Sequence, residues 1–310
     1  MPTLSVFVEE SVRDFLASSD NNLGPGTSEK AWDDFLLGYS SGDDELYSFW
    51  KEHIGEFHWT PAEAFEVGMS PEGLTSGAAA APTSDRSFAG ADNGGPLEAP
   101  RPEELTVVSW ALSHTEATKA ANREQSEWPS EPWARTRMFG QSGNRTLHRS
   151  VVAALAAHGY PAVAPGLLPQ HRESESESQG RASNWSERHI AYAAGLGTFG
   201  LCGGLITPLG KAVRLGSVVV RANIPPTPRP YSGAYDYCLH FKDGACRACV
   251  DRCPVGSVRE EGRDKSACAH RLEMATAEFV EREYGFKGYG CGLCQTGVPC
   301  ESAIPVSPPE

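Results

Sequence analysis

The chain has 310 residues, 40% of them hydrophobic and 22% charged, with a net charge of −13 and a pI near 5.2. That length suits one large domain or two smaller ones, each with its own core. The acidity, without a local basic run, predicts no nucleic-acid partner, and no stretch reaches the 18 consecutive apolar residues a membrane span needs. The opening MPTLSVFVEESVRDF lacks the basic-then-apolar order of a leader peptide and has no twin-arginine pair, so a cytoplasmic protein without a membrane partner is expected.

In chain order, residues 1–68 read as helical. Val8, Val12, Phe15 and Leu16 fall at helical spacing, and Ala31–Leu37 is taken to repeat it, with Trp32, Phe35 and Trp50 as core. Residues 69–100 are rich in Gly, Ala, Pro and Ser and read as a linker. Glu104–Leu112 reads as a buried strand, Thr146–His158 as an amphipathic helix ended by Gly159, and Tyr160–Ala164 as a short strand. Arg172–Gly180 (RESESESQG) reads as a polar loop without packing. Asn184–Ala194 is a predicted helix running into the turn AGLGTFG, followed by strands at Leu205–Thr207 and Val213–Arg221. Strands alternating with helices over 105–221 predict an α/β or α+β unit. The proline-rich segment 222–236 closes it. Three regions result: 1–103, helical with a linker; 104–221, the α/β core; and 222–310, a cysteine module.

Eight of the nine cysteines fall at or after Cys238. In a reducing compartment such density points to metal binding before disulfides. Cys246, Cys249 and Cys253-Pro254 have C-x2-C-x3-C-P spacing, the last three positions of a 4Fe–4S run whose final cysteine serves a second cluster. The first position of a compact run falls on Asp243; Cys238 lies further upstream, and either could complete the set. Exchange of one cysteine between motifs then gives Cys238, Cys246, Cys249 and Cys300 for one cluster, and Cys253, Cys268, Cys291 and Cys294 for the other. Two zinc sites would also use eight cysteines, but zinc modules pair C-x2-C units symmetrically, and C-x3-C-P is not such a unit. Cys202 stands apart in a Gly-rich turn and reads as a small buried residue.

Together with SERHIAYAAGLGTFGLCGGLITPLGKAVRLGSVVV (Ser186–Val220) and WARTRMFGQSGNRTLHRSVVAALAAHGYPAVAP upstream, these cysteine motifs resemble the cobalamin-dependent iron–sulfur reductases, which include epoxyqueuosine reductase and the reductive dehalogenases. The resemblance covers roughly residues 104–304. It implies an α+β fold: a nitroreductase-like cobalamin-binding core followed by a small two-cluster ferredoxin-like module. It implies base-off cobalamin and two 4Fe–4S clusters that carry electrons to cobalt from ferredoxin, flavodoxin or a reductase. By the same resemblance Arg214 would face the substrate, and Gly195, Gly197, Thr207, Gly216, Ser217 and Ala269 would border the corrinoid.

The departures concern proton donors. Phe139 stands where the dehalogenases place a tyrosine, and the segment RASNWSER has no aspartate where epoxyqueuosine reductase has one. Asn184, Ser186, Glu187, His189 and Tyr192 are the polar candidates left, with Asn184 the catalytic choice beside Arg214; Glu187-Arg188 could form a structural ion pair. The expected function is a cytoplasmic oxidoreductase of a small-molecule substrate, by dehalogenation or carbon–heteroatom cleavage. The alternative is an electron-transfer or corrinoid-reducing protein without substrate chemistry of its own.

Overall fold

The structure, a computed structural model, describes residues 3–82 and 99–306. Half of the expected linker, 83–98, lies outside the described residues; the part before it is corrected, since it forms the helix Pro71–Thr75 and the sheet strand Ala79–Ala80. A five-stranded antiparallel sheet organises the fold. Numbered along the chain, its strands are β1 (Trp32–Ser41), β2 (Ala79–Ala80), β3 (Thr106–His114), β4 (Ala162–Val163) and β9 (Val213–Val220), in the spatial order β1-β3-β9-β4-β2. Among the described residues three hairpins lie outside it: β5 (Glu173–Ser176) with β6 (Gly180–Ser183), β7 (Thr198–Phe199) with β8 (Leu205–Ile206), and β10 (Val258–Arg259) with β11 (Gly262–Arg263).

β3 is buried along its whole length because both faces of the sheet are covered. On one face Val107, Ala111 and Val219 pack with Trp50 and Phe65 of the helices Glu45–Ile54 and Pro61–Met69, and with Ile190 of the helix Glu187–Ala193. On the other, Val108, Trp110 and Val218 meet Val12 of the helix Leu4–Ala17 and Leu147 and Val151 of the helix Gln141–Ala157. The mixed helix-and-sheet character read from the sequence is therefore present.

Two local readings are corrected. Ala31–Leu37 does not continue a helix: it enters β1, in register with β3 from Trp32↔His114 to Ser41↔Thr106. Phe35, Leu37 and Tyr39 pack toward one core and Leu36 toward the other, a period of two that marks a strand. The polar stretch 172–180 is no loop either. It builds most of the hairpin β5–β6, where Arg181 of one strand pairs with Glu173 of the other.

One long helix carries much of the cavity wall. The turn Glu131–Arg135 passes through a π-type segment, Thr136–Gly140, before Gln141–Ala157 begins. A second π-type segment, Arg271–Ala275, separates Lys265–His270 from Thr276–Tyr284. Such widened turns re-aim side chains and are frequent at functional sites. Among the described residues, no helix is long and apolar enough to cross a membrane.

The entry to β1 hangs on one amide. Asn21 accepts from the Trp32 N–H at 2.9 Å and donates to the Trp32 carbonyl at 2.8 Å, both buried. Asn21→Ala strips two buried backbone groups of their partners. We expect it to lower stability by about 2–4 kcal/mol in chemical denaturation, whereas an exposed substitution such as Asn22→Ala costs far less.

Candidate active site and cysteine quartets

Between the sheet and the cysteine module lies a cavity of about 700 Å³. β9 contributes Val213, Arg214 and Leu215; the long helix contributes Thr136, Arg137, Gln141, Asn144, Arg145 and His148. Both π-type segments reach it, the first through Thr136 and Arg137, the second through Arg271 and Leu272. A second cavity of about 410 Å³ shares Arg137, Arg214 and Tyr289 with the first and adds His58, Lys265 and Ala269. In a chain of net charge −13, the larger cavity is lined by seven lysines and arginines against two glutamates. Cations gathered in a low-dielectric cleft focus their field on whatever enters it.

A hydrogen-bonded chain fixes one wall. Trp110 Nε1 donates to Asn144 Oδ1 at 2.9 Å, and Asn144 Nδ2 donates to the Leu215 carbonyl at 3.1 Å. The Ser217 N–H donates to His148 Nε2 at 3.3 Å, so the imidazole proton sits on Nδ1 and faces the Asn144 carbonyl at 2.7 Å. Trp185 Nε1 donates to Ser217 Oγ at 2.9 Å, and that hydroxyl donates to Glu187 Oε2 at 2.6 Å. Each member has its partner, so the wall is rigid before anything binds.

His114 and Arg214 are less comfortable. His114 is stacked on Trp133 at 4.2 Å, its Nδ1 has no partner, and burial, then Arg214 and Lys119, push its pKa down to about 3. Arg214 Nε is buried and also lacks a partner. Burial, and next the guanidinium of Arg137, loosen its hold on its proton. Unpaired donors directed at a cavity favour a ligand that brings acceptors.

The cysteines divide spatially. Cys238, Cys246, Cys249 and Cys300 surround a recess of about 20 Å³, while Cys253, Cys268, Cys291 and Cys294 line the large cavity. Cys238 faces the first recess; Asp243 does not line it and accepts from the Ala245 N–H at 2.9 Å. Cys202, 1% exposed, lies between the two sets, beside Cys249 and with its Sγ donating to the Cys294 carbonyl at 3.9 Å. Two cations serve these sulfurs. Arg263 Nη2 donates to Cys268 Sγ at 2.8 Å. Lys211 is 2% exposed, and although burial opposes its charge, the sulfurs of Cys202, Cys300, Cys294 and Cys249 outweigh that and hold its proton. Among the described residues, no group of three or more His, Cys, Asp or Glu side chains could hold a single metal ion.

The structure distributes the residues singled out from the sequence unevenly. Arg214 lines both cavities and Ala269 the smaller one. Ser217 sits one bond behind the wall, through Trp185 and Glu187. Gly216 lets Trp110 and His148 close in: a Cβ there would fall within 2.6 Å of both rings. Asn184 is corrected. It is 1% exposed and spends its amide on the Arg172 N–H and the Gln170 carbonyl, away from both cavities. Gly195, Gly197 and Thr207 are corrected likewise. Gly195 turns at φ +79°, Gly197 abuts the Ile206 carbonyl, and Thr207 Oγ1 is tied to the Gly210 carbonyl; none of the three lines either cavity. Glu187 and Arg188 do not pair with each other: Glu187 accepts from Ser217, and Arg188 donates to the Gly203 carbonyl at 2.7 Å. Arg137, His114, Lys211 and Tyr289 were not singled out from the sequence. Only Lys211 and Tyr289 left a trace there, standing close to AGLGTFGLCGG and C-x2-C.

Known proteins share parts of this chain. No family model matches it. The epoxyqueuosine reductase of Listeria monocytogenes is 32% identical over 137 residues, covering 43% of this chain and 33% of that enzyme. That of Staphylococcus aureus is 34% identical over 124 residues, 38% of this chain and 30% of the enzyme. The matched part of the chain is a relative of the epoxyqueuosine reductases. The alignment spans about a third of the length of these curated relatives. Among solved structures, an epoxyqueuosine reductase with an epoxyqueuosine-modified tRNA-Tyr stem loop is 15% identical, with 98% of this chain and 68% of that one covered and a TM-score of 0.43. The catabolic reductive dehalogenase NpRdhA with 3-bromo-4-hydroxybenzoic acid is 17% identical, covering 69% and 28%, with a TM-score of 0.45. The kinship with epoxyqueuosine reductases, one of them solved with a tRNA stem loop, corrects the expectation of a small-molecule substrate and no nucleic acid. Net charge is a sum over the whole chain and says nothing of the cations gathered in the cavity.

His114 makes the fold sensitive to acid, and so does His189, likewise pushed to about 3, by burial first. Both stay neutral in the folded chain and take a proton on unfolding, so their contribution is complete above about pH 6.5 and is lost as pH falls from there toward 3. His114→Phe should flatten that decline, by up to about 1.4 kcal/mol per pH unit, in denaturation curves recorded between pH 7 and 4.

Proposed function

We propose that the chain is an iron–sulfur- and cobalamin-dependent reductase that removes the oxygen of an epoxide carried on a modified nucleoside of tRNA. The observation that carries this reading is the cation-lined cavity with the Cys253, Cys268, Cys291 and Cys294 quartet in its wall, in a relative of the epoxyqueuosine reductases. In this reading residues 104–221 are the cobalamin-binding core and 222–310 the two-cluster ferredoxin-like module. The N-terminal region 1–103 lends an edge strand and helices to the same sheet.

The residues suit these groups. Four thiols in each of two places, with Lys211 and Arg263 among the sulfurs, offer the charge-compensated thiolate ligation that 4Fe–4S clusters take. Cys253, Cys268, Cys291 and Cys294 would hold the cluster nearer the cavity, and Cys238, Cys246, Cys249 and Cys300 the farther one. The walls around Trp32, Trp133 and Leu215, interrupted by guanidinium groups and amides, suit a flat macrocycle with amide and phosphate substituents. When bound, cobalamin would supply low-potential electron transfer at a metal centre. The chain's own part is separate from that. The Trp110–Asn144–Leu215 and His148–Ser217–Glu187 bonds hold the wall still, Arg214 with its unpaired Nε offers a donor to an acceptor oxygen, and the surrounding cations attract phosphate.

The test uses anaerobically reconstituted full-length protein, with and without cobalamin, and an anticodon stem loop bearing epoxyqueuosine. The expected result is cobalt and iron retained through gel filtration and loss of one oxygen from the nucleoside by mass spectrometry. Absence of both cobalt retention and conversion refutes the reading. Cys246→Ser and Cys268→Ser should each leave about half of the wild-type iron, because each strikes a different quartet; loss of all iron in both would show one shared site in place of two.

A further inference from the structure

Reductive removal of an epoxide oxygen to leave an alkene consumes two electrons and two protons and releases water. Resting on the proposed reading above, the site must therefore contain a group that gives a proton to oxygen. Most polar groups on the larger cavity's wall are unsuited. His148 has both ring nitrogens engaged, by the Ser217 N–H and the Asn144 carbonyl. Glu187 is an acceptor for Ser217. His171 turns Nε2 toward the Trp185 carbonyl. His114 is 6% exposed, between Trp133 and Trp32.

Tyr289 differs. It lines both cavities and stands just before Cys291, in the segment that carries one quartet to the wall. Arg137 Nη2 donates to its Oη at 2.6 Å, and the Arg137 guanidinium lies over its ring at 4.6 Å. A guanidinium has no lone pair to offer, so the phenol oxygen can only accept there, and its own O–H stays free to donate. A phenolate left behind would face Arg137 directly, with Arg214 on the same walls. Arg137 itself is placed there by the π-type turn in the long helix.

We propose that Tyr289 is a proton donor of this site. It transfers its phenolic proton to the epoxide oxygen as the first C–O bond breaks, and the electron pair of that bond stays on oxygen. An external one-electron protein donor supplies two electrons to the carbon so released; they become the second bond of the alkene as the other C–O bond breaks with its pair on oxygen. The second proton comes from solvent, the oxygen departs as water, and solvent returns a proton to Tyr289.

Three measurements on the cobalamin-loaded, full-length protein decide it. Tyr289→Phe should keep wild-type iron, cobalt and stem-loop binding while converting the epoxide about 100-fold more slowly or worse. With 3-fluorotyrosine at position 289, an isostere that keeps the hydroxyl, conversion should return to near the wild-type rate, a rescue that a packing role would not require. The fluorine resonance of the same protein should shift when the epoxide-bearing stem loop is added. Wild-type turnover in Tyr289→Phe, or an unmoved fluorine signal with the stem loop bound, overturns the proposal while leaving the reductase reading intact. A wild-type protein that neither retains cobalt nor converts the epoxide overturns both.

Discussion

Everything about the site depends on where the cysteine module is pinned. The N–H groups of Lys211 and Ala212, just before β9, donate to the carbonyls of Cys300 and Glu301 at 2.7–3.0 Å, so the last cysteine is stitched to the sheet by backbone. Asn122, fully buried, reinforces this: its side-chain amide donates to the Cys291 carbonyl and to Thr296 Oγ1, and its oxygen accepts from the Ser130 N–H. Arg252 adds a bond to the Leu293 carbonyl at 3.1 Å. These contacts join segments far apart in sequence, and they decide that one quartet faces the cavity while the other turns into its own recess.

Burial and charge explain why the contact is made of backbone groups and cations. A wall of sulfurs is polarizable but offers few strong hydrogen-bond acceptors, and each thiolate brought into the interior needs a positive neighbour. Lys211 and Arg263 are those neighbours, and both would be costly to bury without sulfur beside them. The same reasoning applies on the opposite wall. There, polar side chains are satisfied in a closed chain of bonds from Trp110 to Asn144 and from Trp185 to Glu187, and the groups left over, chiefly on Arg214 and His114, lie at the cavity.

Much of the core was legible because its signals are local. β3 and β9 are continuous apolar runs, and the helix Gln141–Ala157 carries Leu147, Val151 and Leu155 at helical spacing before Gly159. The grouping of the cysteines came from the exchange of one cysteine between the motifs of a two-cluster ferredoxin, a pattern carried by C-x2-C-x3-C-P and C-x2-C. β1 was harder: its aromatics fit a helical stripe as well as a strand, and only pairing with β3 selects between them. The site residues were the least legible. Asn184 is polar and close to a family motif, but its amide is consumed by backbone at 170 and 172. Arg137 and Tyr289 lie some 150 residues apart along the chain and acquire meaning only through the 2.6 Å contact that folding makes between them. Local sequence reasoning has no access to such a pair.

The stitch between residues 211–212 and 300–301 also imposes an order in time. All five strands of the sheet are present once β9 has been made, so the layered core can close while the chain is still being synthesised. The cavity wall formed by Cys291, Cys294 and Tyr289 follows later in the chain. Until then the space beside β9 lacks that wall, so the cavity exists only once residues 300–301 have docked on residues 211–212.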